Sequence, residues 1–378
     1  MHIAIAGTRG IPNRYGGFEQ CAQEIAPRFA AAGHRTTVFN PASHEYAEPQ
    51  YRGVEIVRLS MDEARLGPLG LFLSDWAALR ESRRIGADVV LVLGHTPAGL
   101  FFRPTTRRPY ALVTNIDGME RWRSKFNRLQ KALLKAGEQA AVRHSDVIIA
   151  DNSGIATYVR DHYGAASDCI EYGAETPTAI KPLSEAGLGL EPGSYFLCIA
   201  RVEPENNLEM ILEGTARGAP DVPIVVIGGM NTPHSKRLAS RFGADPRVRF
   251  VGGIYDADRL NTLRNNARVY FHGHSVGGTN PALLEAMAAR APIAIHENIF
   301  NRAVVDTLTP GFRSAEDVAR IAADPSIPAG AAQANAERIR EHYSWDRIAT
   351  LYLGAFEKAQ RIHHDAGGAD IDSVNGPR

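Results

Sequence analysis

A surplus of charge is what this sequence most plainly lacks. Its 378 residues carry 42 Lys and Arg against 42 Asp and Glu. No global field draws the chain to nucleic acid, so an anionic partner must be met by a local patch. Cysteine is scarce. Cys21, Cys169 and Cys198 lie far apart with no metal-ligand spacing, each in an apolar context that suits a small buried hydrophobe, and the set fits a reducing compartment. No run reaches the roughly 18 apolar residues that a spanning helix needs. The opening MHIAIAG meets Gly and Arg too soon for a signal peptide and reads as a buried strand. A cytoplasmic protein is the expectation. The dinucleotide fingerprint G-x-G-x-x-G is missing too: Gly7, Gly10, Gly16 and Gly17 are spaced otherwise, which disfavours a hydride-transferring dehydrogenase.

What is present is a large globular chain. Hydrophobic residues make up 44% and charged residues 22%, and the length suits two domains. After the first strand comes GTRGIPNRYGGFEQ, then an amphipathic helix over 18–32. The long loop 8–17 carries Arg9, Arg14 and the pair Gly16-Gly17 at the carboxyl end of a strand, where open α/β sheets bind ligands. Apolar runs at 36–39, 54–59, 88–93, 110–115 and 146–150 alternate with helical patterns such as 71–85 and 119–142. That alternation predicts a parallel sheet with helices on both faces. His95 and Asp117 each follow one of these strands. Asp117 is a candidate for chemistry, with a helix N-cap as the plainer role.

Residues 119–143 hold seven basic side chains against Glu120 and Glu138, with Trp122 and Phe126 four apart. Such a basic amphipathic helix can rest on an anionic membrane surface or meet a lipid-linked phosphate. An ordinary surface helix with a core-facing stripe explains it equally well. The Pro/Ser/Gly-rich segment 176–193 reads as a linker. A second series of strands follows at 195–200, 222–227, 248–251, 268–272 and 292–296, predicting a second Rossmann-like domain. A helix over 343–362 closes the chain, and the Gly/Asp-rich stretch from residue 364 on is expected to be disordered.

The second domain is organised around 272–290, HGHSVGGTNPALLEAMAAR. The strand 268–272 leads, past the candidate contact His274, into the turn Gly277-Gly278-Thr279-Asn280, and Pro281 suits the first helical position. Free backbone N–H groups at such a helix start, with the helix dipole, favour an anion. Glu285, about one turn in, can accept hydrogen bonds from two vicinal hydroxyls, as a ribose presents. Together they read as a nucleoside-diphosphate pocket. Arg201, in ARVEPENN after the domain's first strand, is placed to meet phosphate from the other side. Gly253-Ile254, after its third strand, could read the edge of a base, or be a simple turn.

These motifs carry a resemblance. GTRG…RYGGFE, ARVEPENN and HGHSVGGTNPALLEAMA together resemble the large retaining, metal-independent nucleotide-sugar glycosyltransferase family of the E-x7-E type. The match spans roughly residues 1–360 and looks most like the bacterial rhamnosyltransferase branch that builds surface polysaccharides. The resemblance implies the GT-B architecture, two Rossmann-like domains facing a central cleft. Residues 1–175 would form the acceptor domain, with the helix 346–362 packing back on it. Residues 190–345 would form the donor domain, and 364–378 a tail. It implies that Gly16 and Gly17 approach the donor diphosphate, that Arg201 binds it, and that Glu285 holds the ribose. Asp117 stands where the family has a His near the transferred sugar, and it or Glu19 would orient sugar or acceptor. Three positions depart from the pattern: Gly277 replaces the first Glu, Asn206 a Lys, and Asp117 the His. Backbone N–H groups of Gly278, Thr279 and Asn280 would substitute. The implied partners are a nucleotide-sugar donor, dTDP-L-rhamnose first, and a lipid-linked saccharide acceptor, with membrane contact through helix 119–143 at the inner face of the plasma membrane. No cofactor, metal or nucleic acid is implied. A UDP- or GDP-sugar donor, a nucleotide-sugar 2-epimerase and a non-catalytic nucleotide-binding protein stay open as alternatives.

Overall fold

The structure, a computed structural model, describes residues 1–374 apart from Tyr15, 62–67, 95–97, 117–127, Gly277, Ser326 and Ala329. His95, Asp117, Gly277 and the first turns of the basic segment therefore lie outside the described residues. The chain divides into unit 1, Met1–Glu171 with Trp345–Arg378, and unit 2, Tyr172–Ser344.

Unit 1 is built on eight strands: β1 (His2–Ala6), β2 (Arg35–Asn40), β3 (Gln50–Tyr51), β4 (Val54–Arg58), β5 (Val89–Leu93), β6 (Ala111–Ile116), β7 (Val147–Ala150) and β8 (Asp168–Cys169). Their order is β3-β4-β2-β1-β5-β6-β7-β8, parallel except for β3 against β4. The central strands are apolar and buried, as a sheet covered on both faces requires. Helices α1 (Gly17–Ala31), α2 (Pro68–Arg84), α3 (Arg128–His144) and α4 (Ser153–Tyr163) connect them. Asn152 starts α4 by accepting the Gly154 N–H at 2.8 Å.

The C-terminal helix, Trp345–Val374, packs on this unit. Phe356 meets Phe29 of α1 edge-on at 5.3 Å. Asn115 Nδ2 donates to the Tyr352 hydroxyl at 2.6 Å in the core, and Arg28 Nε donates to Asp346 at 2.7 Å. The helix reaches Val374, past the boundary at residue 364 that composition suggests. Gly367 and Gly368 lower helix propensity by only about 1 kcal/mol each, and proline first appears at Pro377.

Unit 2 carries β9 (Phe196–Ile199), β10 (Ile224–Ile227), β11 (Val248–Phe250), β12 (Val269–His272), β13 (Ile293–His296) and β14 (Gly311–Phe312). All are parallel, in the order β11-β10-β9-β12-β13-β14. Its helices are α5 (Leu208–Gly218), α6 (Pro233–Phe242), α7 (Ala257–Asn265), α8 (Pro281–Ala288), α9 (Ile299–Val304), α10 (Ala315–Ala323) and α11 (Ala331–His342). Phe271 meets Phe196 and Phe312 edge-on at 5.6 and 5.9 Å at the heart of this core. Such pairs add about 0.5–1.5 kcal/mol each beyond burial.

The Pro/Ser/Gly-rich stretch read as a linker behaves differently. It lies within unit 2, with Leu183, Ala186 and Leu190 buried. Arg259 Nε donates to the Ala186 carbonyl at 2.8 Å and Arg249 Nη1 to Leu188 at 3.1 Å. Three spaced apolar residues in a polar stretch are enough to anchor it.

Candidate functional site

In each sheet the chain reverses its direction of winding once. In unit 2 this falls between β9 and β12, since β10 lies on one side of β9 and β12 on the other. Ligand crevices of open α/β sheets form there, at the carboxyl ends of the strands. The loops leaving those two strands are 200–207 and 273–280.

The two loops are riveted together. Ser275 donates from both N and Oγ to the Glu205 carbonyl, each at 2.9 Å. Asn207 Nδ2 donates to the Gly273 carbonyl at 2.8 Å. Asn207 adopts φ +49°, a left-handed conformation that asparagine tolerates better than most residues. Gly273 is dictated by this contact, because a Cβ there would lie 2.0 Å from the Asn206 carbonyl oxygen.

Asn206 is buried and occupied at both ends. Its Nδ2 donates to the Arg201 carbonyl at 2.8 Å, and its Oδ1 faces His274 Nδ1 at 3.0 Å. With Nδ2 on a carbonyl, Oδ1 can only accept, so His274 carries its hydrogen on Nδ1. Asn206 thus ties the two loops together. The His274 carbonyl is gripped in turn by Asn298 Nδ2 at 3.0 Å and Asn301 Nδ2 at 2.8 Å. Behind it, burial and the neighbouring His274 and His296 push the His272 pKa down to about 3, so this ring is neutral.

Arg201, at the end of β9, is exposed, and among the described residues no carboxylate pairs with it. Gly278 and Thr279 are buried. Asn280 caps α8, accepting the Ala282 N–H at 3.0 Å, and Pro281 follows as the first helical residue. Arg201 and this helix start thus lie on the two loops that leave β9 and β12. Glu285 sits within α8 with its carboxylate 39% exposed, and Arg264 Nη2 of α7 donates to its Oε2. Gly253 and Ile254 follow β11, one strand beyond β10, beside a Tyr255 that is 88% exposed.

In unit 1, Gly16 caps α1 in extended backbone and Gly17 opens the helix. Glu19 is buried, and its Oε1 accepts the Arg9 N–H at 2.7 Å. It anchors the 8–14 loop, as Asn40 does by bonding both backbone groups of Ile11 at 3.0 and 2.8 Å. Among the described residues no group of three or more His, Cys, Asp or Glu is placed to hold a metal ion. Nor is any described helix long and apolar enough to cross a membrane.

Sequence reasoning misses Arg264, Asn298 and Asn301. Arg264 lies in a run of polar residues, DRLNTLRNNAR, where nothing marks one arginine as buried. The asparagines bond backbone groups, a role with no periodic signature.

Two Rossmann-like units, each an open, mostly parallel sheet with one switch point, fit the GT-B class of α/β fold. Residues 184–322 match the family model described as Glycosyl transferases group 1. Residues 1–175 match a domain of unknown function, DUF1972. A search of curated proteins finds no match. Among solved structures, sucrose-phosphate synthase from Thermosynechococcus elongatus is similar with a TM-score of 0.77 and 16% identity, over 94% of this chain and 98% of that one. Anabaena HepE in complex with UDP-glucose gives 0.72 and 15%, over 94% and 99%. Trehalose 6-phosphate synthase from Burkholderia multivorans gives 0.69 and 11%, over 100% and 99%. At these identities the likeness is one of fold.

Proposed function

We propose that the chain transfers a sugar from a nucleoside-diphosphate donor with retention and without a metal. Its specific form is L-rhamnose from dTDP-L-rhamnose, moved onto a lipid-linked saccharide in surface polysaccharide synthesis. The carrying observation is that the exposed Arg201 and the N-terminus of α8 follow the two loops riveted to each other at the switch point of unit 2. The rhamnosyl form rests on the GTRGIP, ARVEPENN and HSVGGTNP motifs.

The chemistry follows from charge. As the bond from the sugar to the diphosphate breaks, negative charge grows on the leaving phosphate. Arg201 and the backbone N–H groups at 278–280 stabilise it without reorganising. The sugar carries oxocarbenium character, as in glycoside hydrolysis. The acceptor hydroxyl attacks from the face the phosphate leaves, and the phosphate takes its proton. Asp117 orients the sugar or acceptor in this reading. The basic segment 119–143 meets the inner face of the plasma membrane. In its described part, Leu133 is 46% exposed beside the exposed Lys135.

A UDP-sugar donor is the second reading, favoured by the HepE structure that holds UDP-glucose. Calorimetry with dTDP, UDP, GDP and NAD, without metal, separates the two. Selective dTDP binding, lost at least tenfold in Arg201→Ala, is the expected result. Preference for UDP or GDP keeps the transferase and removes rhamnose, whereas binding of NAD alone overturns the reading. Donor consumption without acceptor would point to the epimerase, and binding without turnover to a non-catalytic protein.

A further inference from the structure

Among the described residues of unit 2, Arg264 is the only Lys, Arg, Asp or Glu that is buried. Its side chain is 2% exposed. A guanidinium in such a place is costly unless it is paired and its donors are engaged. Arg264 is only partly engaged. Nη1 donates to Asn261 Oδ1 at 3.2 Å, Nη2 donates to Glu285 Oε2, and Nε has no partner among the described residues. A side chain needed only to fill this space would be apolar. What the charge reaches is Glu285, across from α7 to α8, and no other hydrogen bond meets that carboxylate among the described residues.

We infer that Arg264 is the positioning residue for donor recognition: it fixes the Glu285 carboxylate by one oxygen so that the other meets a hydroxyl of the nucleotide's pentose. The inference rests on the reading of this site as a nucleotide-sugar site. A glutamate on a helix surface is otherwise a flexible side chain that loses rotamer freedom when it binds. Held from behind, it is ordered before the donor arrives, and affinity gains by that pre-organisation. The geometry also sets what is read. A carboxylate that grips two vicinal hydroxyls uses one oxygen for each. Here Oε2 is engaged by the guanidinium, so Oε1 is the oxygen left wholly open to a hydroxyl.

The test is calorimetry with whichever of dTDP and UDP binds, and with the 2′,3′-dideoxy diphosphate of the same base. Wild type, Arg264→Met, Arg264→Lys, Glu285→Gln and the Met/Gln double variant are compared, and each melting temperature is recorded. Wild type should bind the dideoxy form at least tenfold more weakly than the parent. Arg264→Met and Glu285→Gln should each weaken parent binding at least tenfold and erase that discrimination. The double variant should fall within threefold of Glu285→Gln, because Arg264 acts through Glu285. A merely structural arginine would leave the discrimination intact. Affinity of Arg264→Met within threefold of wild type, beside a weakened Glu285→Gln, sinks the inference alone. Full affinity in both single variants, with no discrimination by wild type, sinks the pentose site beneath it. Should Arg264→Met fail to fold, Arg264→Lys decides. It keeps the charge but not the fork, and is expected to weaken binding at least threefold. Wild-type affinity there overturns the proposal.

Discussion

His272 shows how far one position can shape the whole stability curve. It ends β12 in full burial, stacked near Tyr270 at 6.2 Å, with Nε2 unpartnered among the described residues. Its folded pKa of about 3 lies below the usual 6.5, so the unfolded chain binds the proton that the folded one refuses. Stability from this group is complete above pH 6.5 and is lost as pH falls toward 3. By pH 4 the loss amounts to about 3 kcal/mol. Urea titrations between pH 7 and 4 should show it, and His272→Phe should flatten the slope. An unchanged slope would mean that the ring is not held neutral. The same burial keeps the imidazole from serving as a cation at the end of β12.

At the scale of elements, close approach decides more than propensity does. The 3₁₀ turn Ala98–Phe101 lies so near α3 that a Cβ on Gly99 would sit 2.1 Å from the Gly137 carbonyl oxygen and 3.3 Å from the Ala141 Cβ. Two glycines let the elements touch. Gly99→Ala must push α3 away, and a loss of about 2 kcal/mol or more is expected from overpacking. Chemical denaturation measures it, and a neutral result would show α3 free to shift. At the very next residue after Gly137, Glu138 is buried and takes hydrogen bonds from the hydroxyls of Tyr158 and Tyr163. It counts as a surface acid in the sequence, where only charge and spacing are visible.

This contrast marks what the sequence makes legible. The central strands read clearly because strands covered on both faces are unbroken apolar runs, and each lies within a residue or two of its expected place. The edge strands β3, β8 and β14, two residues each, leave no run to read. The phosphate-suited turn reads from its glycines and Pro281. The rivets behind it do not, because a side chain bonded to backbone depends on loops that come together only after folding. For Asn206 the sequence shows only a departure from the family's Lys, and its bonds to the Arg201 carbonyl and His274 appear only in the fold.

At the scale of the molecule, unit 1 is completed by residues far along the chain. Tyr352, Phe356 and Ala359 of the C-terminal helix are wholly buried, against α1 and β6. A chain cut before Trp345 leaves Phe29 and the Asn115 side chain uncovered. Unit 1 of that truncated protein should lose its amide-exchange protection, while unit 2, uninterrupted from Tyr172 to Ser344, keeps its own. Retained protection in β1 and β6 would show that the helix is dispensable.

Because unit 2 interrupts unit 1 in the chain, birth order on the ribosome runs against spatial order. The first sheet emerges without its last helix and must wait while the whole second unit is made. At roughly 5–20 residues per second, that interval is on the order of ten to thirty seconds. Unit 2 can close its own core before the first-made half of the chain has closed. Through that interval the nascent chain carries an open apolar face where the C-terminal helix will lie, a surface that invites a holding chaperone until Tyr352 and Phe356 arrive.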